Sequence, residues 1–165
     1  MTASLQYIHP DTPITFKASG GTKTFTPTSV TNAAGRISDQ WDRGSAAVAA
    51  DYRWEAKTKA GAALAVGATL TIHFATAHSD ATVIDGNQGQ TDAAFSAVDK
   101  LRNMQPVGAI VADSTSNGEV QVASGEVRIT SRYVSVVWWN ALGQTLSGTA
   151  GDHVFTLVPI PPENQ

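Results

Sequence analysis

Apolar and polar residues alternate with period two along most of this chain. In DYRWEAKTK, residues 51–59, Tyr52, Trp54 and Ala56 alternate with Asp51, Arg53, Glu55 and Lys57. Successive side chains of a strand leave opposite faces of its sheet, so this pattern predicts one buried face and one charged, salt-bridged face. ATLTIHFAT repeats it, with Leu70, Ile72 and Phe74 inward and Thr69, Thr71 and His73 outward. ITFKA and KTFTPTSV predict one or two strands split by Gly20-Gly21, and Gly61 and Gly67 mark turns between the two longer strands. PVGAIVAD leads through a turn at Asn117-Gly118 into EVQVAS. The echo GEVQVAS–GEVRITS predicts a hairpin turning at Ser124-Gly125.

The late strands lack a polar face. Sorted by parity, RYVSVVWWN puts Tyr133, Ser135, Val137 and Trp139 on one side and Val134, Val136 and Trp138 on the other. DHVFTLVPI sets Phe155 and Leu157 against Val154 and Val158. One of the two adjacent tryptophans enters a two-sheet core. The other needs a cover, either the insertion at residues 79–105 or a terminal arm folded over it, or a subunit interface, since an exposed apolar patch of that size marks one.

Two kinds of segment break the alternation. Residues 79–105 form an insertion whose second half, Thr91 to Asn103, predicts a short helix with Ser96 and Asp99 at capping-box spacing. Long structured loops in β folds carry binding. The ends, residues 1–13 and 159–165, read as extended arms: His9-Pro10 and Thr12-Pro13 block helix, and Pro159, Pro161 and Pro162 cannot donate to a ladder. About eight to ten strands and few helices indicate one all-β domain. The expected fold is a jelly roll or related antiparallel β-sandwich, with an immunoglobulin-like sandwich as the second choice.

Composition narrows the chemistry. The chain has 165 residues, 42% hydrophobic and only 15% charged, with a net charge of −3. No basic footprint argues for nucleic acid. A surface poor in charge suits a protein covered by partners. With no cysteine there is no disulfide and no thiolate chemistry. MTASLQYIHPDTP lacks the pattern of a secretory signal, and no apolar run reaches membrane-span length. The expectation is a chain made and soluble in the cytoplasm, leaving by lysis or inside a larger particle.

Catalytic signatures are weak. His78, Asp80, Asp85 and Asn87 share one loop that could offer oxygen ligands to calcium, without EF-hand spacing. The ordinary reading is an Asp-Gly-Asn turn held by its own side chains. Four histidines, His9, His73, His78 and His153, accompany no Gly-x-Ser-x-Gly elbow. Asp51 and Glu55 share a strand face, but Arg53 stands between them and Lys57 beyond, a neutralised ladder rather than an acid pair. Gly20-Gly21 lacks the helix and lysine of a phosphate loop. Trp41, in SDQWDRGSAA, could stack on a sugar, anchor in a partner's pocket, or plug one end of the sandwich. No cofactor and no enzyme activity are expected.

TDAAFSAVDKLRNMQPVGAIVADST, GEVRITSRYVSVVWWNALGQTLSGTAGDHVFTLVPIPPE and SDQWDRGSAAVAADYRWEAKTK together cover well over half of the chain. In overall texture they resemble small structural proteins of tailed-bacteriophage virions, of the capsid decoration (cement) type. The resemblance implies a jelly-roll-like fold and a dimer or trimer bound to the outer capsid surface, where it bridges copies of the major capsid protein. It brings no active-site residues, no nucleic acid and no membrane. Contact residues expected on this reading are Tyr7, Ile8, Trp41, Phe95, Leu101, Trp138, Trp139, Pro159, Ile160 and Pro161. The alternative is a carbohydrate- or receptor-binding module of a phage tail.

Overall fold

A computed structural model describes residues 12–44, 50–77, 91–96, 98–115 and 118–160. Among them run eleven strands: β1 (Ile14–Lys17), β2 (Lys23–Thr24), β3 (Ala34–Ile37), β4 (Trp41–Asp42), β5 (Asp51–Lys59), β6 (Thr69–Ala77), β7 (Ala93–Phe95), β8 (Gln105–Val111), β9 (Val120–Arg128), β10 (Tyr133–Ala141) and β11 (Val154–Ile160). Sheet 1 has the order β2-β1-β11-β5-β9. Sheet 2 has the order β7-β3-β10-β6-β8, with β4 also paired to β10. All pairings are antiparallel except β1 with β2.

The eight longer strands pair in a nest. β1 pairs β11, β3 pairs β10, β5 pairs β9 and β6 pairs β8. This is one long antiparallel hairpin rolled into two facing sheets, which is a jelly roll. Alternation places the core between them: Phe16, Trp54, Ala56, Phe155 and Leu157 from sheet 1 meet Leu70, Ile72, Phe74, Val136 and Trp138 from sheet 2. Trp138 stands edge-on to Phe25 at 5.0 Å.

Three expectations are corrected. Ser124-Gly125 is no hairpin turn, because β9 runs unbroken along β5 and Gly125 lies directly across from Trp54. A Cβ at Gly125 would come within 2.9 Å of the Trp54 indole, so this glycine makes room rather than a turn. The helix expected over Thr91–Asn103 is also absent: Ala93–Phe95 is strand β7, followed by a 3₁₀ turn at Val98–Asn103. The physical reason lies in the path. β7 sits at one edge of sheet 2 and β8 at the other, so the chain between them must cross the sheet, and a compact helix would shorten its reach. Lastly, Pro159 and Ile160 belong to β11, opposite Tyr52 and Asp51, rather than to an arm. The last β11 residue in register with β1 is Leu157, opposite Ile14, so the ring nitrogen of Pro159 faces the side where that ladder has ended. The remaining arm positions, 1–11 and 161–165, lie outside the described residues, as do Tyr7, Ile8 and Pro161.

Candidate interaction surfaces

The two tryptophans separate as parity requires. Trp138 is 1% exposed in the main core. Trp139 points to the outer face of sheet 2, half-buried in a second apolar cluster with Ile37, Ala75, Ala77, Phe95, Met104 and Val137, joined by Ala93, Leu101 and Tyr133. The cover is the insertion itself. β7 extends the sheet past β3 and sends Phe95 onto this face, edge-on to Trp139 at 6.2 Å. Residues 98–104 then cross the face and set Leu101 and Met104 on it. Gly35 seats both rings, because a Cβ there would lie 3.2 Å from Trp139, 3.3 Å from Phe95 and 2.5 Å from the Trp138 carbonyl oxygen.

A polar clamp holds the start of this strap. Arg36 Nε and Nη2 donate to the two carboxylate oxygens of Asp92, each at 2.7 Å. Thr26 N also donates to Asp92, and Asp92 N donates to Asp39. Burial alone would raise the Asp92 pKa, but the bonds from Arg36 and Thr26 outweigh it and hold the carboxyl below its usual range. Phe95 and Trp138 are thus buried, and Leu101 and Trp139 are engaged within the chain.

One end of the sandwich carries a second cluster. Trp41, half-buried, meets Tyr52 edge-on at 5.9 Å and closes that end of the core. Arg43 lies over the Tyr52 ring, bonds its hydroxyl at 3.2 Å and donates to the Ser131 carbonyl at 2.8 Å. Beside it, Arg132 grips Asp42 through two bonds of 2.9 Å and covers the Tyr133 ring. The Arg132 bonds, with Gly44 N, lower the exposed Asp42 to about pKa 2. The ion pairs among the described residues are this one and Arg36–Asp92. Among the described residues, β5 forms none of the salt bridges expected along it.

His153 is fully buried, with Nδ1 at 2.9 Å from Thr58 Oγ1 and Nε2 at 2.9 Å from the Ser147 carbonyl. Ser147 Oγ donates instead to Asp152 at 2.6 Å. Ser147, Asp152 and His153 therefore form a structural knot, in which no ring nitrogen faces the hydroxyl. Among the described residues no group of His, Asp and Glu is placed to hold a metal ion. His9, the loop with His78, Asp80, Asp85 and Asn87, and the rest of 78–90 lie outside the described residues.

No described segment covers the outer face of sheet 1. Its rows read Ile160–Asp51–Arg128, Val158–Arg53–Glu126, Thr156–Glu55–Ser124 and Val154–Lys57–Val122. Val122 is 58%, Val120 43%, Val158 39% and Ile160 36% exposed. Glu55, Lys57, Val154 and Thr156 line a shallow groove of about 170 Å³. The Ile14–Leu157 register sets the start of β1 beside the end of β11, so the N-terminal and C-terminal segments depart from neighbouring strands at one end of this sheet. The alternation in β5 made this face legible. The exposed valines of β9 were hidden by the mistaken hairpin.

No family model matches the chain, and no curated protein matches its sequence.

Proposed function

We propose that this chain is a structural virion protein of the capsid-decoration type, docking the outer face of sheet 1 and its terminal segments onto neighbouring subunits of the major capsid protein. The observation that carries the reading is the asymmetry of the sandwich. Sheet 2 covers the Trp139 region of its outer face with its own strap and leaves Val111 exposed at its β8 edge, whereas sheet 1 leaves Val120, Val122, Val158 and Ile160 exposed among charges, beside the end at which the described chain enters β1 and leaves β11. Single apolar residues set between charges suit a modest, partly polar interface. Many such contacts, coupled through a lattice, add up by avidity and resist internal pressure together. The resemblance of the sequence to decoration proteins and its sparse charge support the same reading. Its location on this reading is the outer capsid surface, after synthesis in the host cytoplasm.

The test adds purified protein to undecorated heads. The heads should melt at a higher temperature, and microscopy should count copies in proportion to capsid subunits rather than the few of a tail tip. The paired variant Val158→Asp with Ile160→Asp should bind weakly while keeping its fold. No binding of the wild-type chain to heads overturns the proposal.

A further inference from the structure

We propose that β9 pairs edge to edge with β9 of a second copy of this chain, joining two sandwiches through one continuous sheet. An open edge offers unpaired N–H and C=O groups to any extended chain, and sheets blunt their edges with short strands, proline or bulges. Three of the four edges here are blunted. β2 has two residues and β7 has three. β8 carries Pro106, and its register with β6 slips between Ile72 and His73. β9 is different: nine residues without proline, in unbroken register with β5.

The free backbone groups can be assigned. Ile129 N donates to Ala50 O at 2.7 Å, so residues 50 and 129 form a hydrogen-bonded pair. Antiparallel alternation carries that state to 52/127, 54/125, 56/123 and 58/121. The N–H and C=O of Val120, Val122, Ser124, Glu126 and Arg128 therefore point away from β5. Of these, the Arg128 carbonyl accepts from Gln105 Nε2 at 2.8 Å. The others have no backbone partner among the described residues.

A second copy fits this edge. An antiparallel two-fold through Ser124 engages every outward residue: Ser124 meets its own copy, Val122 meets Glu126 and Val120 meets Arg128. No like charges stand side by side, and the incoming Glu126 lands on the side of the sheet that carries Lys57 and Lys59. The contact is isologous and closes as a dimer. It is a property of the chain alone, so it stands or falls apart from the capsid reading.

The test uses the full chain in sedimentation velocity and amide exchange. The wild type should be a dimer with the Val122, Ser124 and Glu126 amides protected. Ser124→Pro removes an outward N–H and leaves the β5 ladder intact. Ser124→Lys sets two lysines together at the two-fold while each remains across from Glu55 in its own sheet. Both variants should be monomers with native circular dichroism, and an equal mixture of Ser124→Lys with Ser124→Asp should restore the dimer. If Ser124→Pro fails to fold, Ser124→Lys decides. A monomeric wild type, an oligomer that survives Ser124→Lys, or unprotected amides at those three positions overturns the proposal.

Discussion

Trp54 and His153 show how single residues set this interior. The Trp54 ring stacks on Phe155 at 6.2 Å and lies between two glycines: Gly125 across its own ladder and Gly108 in the facing sheet, where a Cβ would come within 2.5 Å of the ring. His153 solves a polar problem in the same core. The Ser147 carbonyl can only accept, so Nε2 carries the proton and Nδ1 accepts from the Thr58 hydroxyl. The neutral ring thus satisfies both contacts. Burial pushes its pKa below the ordinary 6.5, with Lys57 adding to that and the Ser147 bond and Asp152 opposing it. Burial lowers His73 as well. With both folded-state values depressed, the unfolded chain takes up protons first. The stabilisation is whole above pH 6.5 and is lost as pH falls from there toward the folded-state values. Urea midpoints should therefore decline below pH 6.5, before the carboxylates titrate, and His153→Gln should remove part of that slope. A flat midpoint across this range would contradict the argument.

At the scale of elements, alternation was readable wherever one face of a strand is wet. The inward set of β5 and that of β6 are as the pattern gave them. The unusual case, β10, was readable as a strand with two dry faces, and the 79–105 insertion was among its expected covers; the choice between insertion, arm and subunit interface was not readable, since it depends on β7 pairing with β3 some sixty residues earlier in the chain. Local signals pointed elsewhere in two places. Gly125 reads as a turn by type, yet its role is set by Trp54, far away in sequence. The Ala- and Leu-containing run 91–103 has helical composition, yet its tertiary task is to cross a sheet. The strap's role gives a prediction. Met104 is 5% exposed in the outer cluster. Met104→Ala should cost about 2–5 kcal/mol, lower the melting temperature, and create binding of a hydrophobic dye as the face around Trp139 opens. An unchanged melting temperature would mean that the strap contributes nothing to stability.

For the whole molecule, the nested pairing orders assembly. The inner pair β6/β8 joins Thr69 to Val111, whereas the outer pair β1/β11 joins Ile14 to Leu157. Closing the longer loop first costs about 1 kcal/mol more in chain entropy, so the inner strands should pair early and the outer pair last. Two buried isoleucines, Ile72 in β6 and Ile14 in β1, report on each stage. Each truncation to valine should cost about 0.5–1.5 kcal/mol. In stopped-flow experiments Ile72→Val should slow folding, while Ile14→Val should leave folding unchanged and speed unfolding. Equal slowing of folding by both would reverse the order. The last pair to close is also the one from which both terminal segments depart. Contacts made there by a bound neighbour would be absent from the folding transition state, so they would act on the unfolding rate. On a capsid, docking through these ends would then hold shut the pair that opens first, and bound protein should unfold more slowly than free protein at the same temperature.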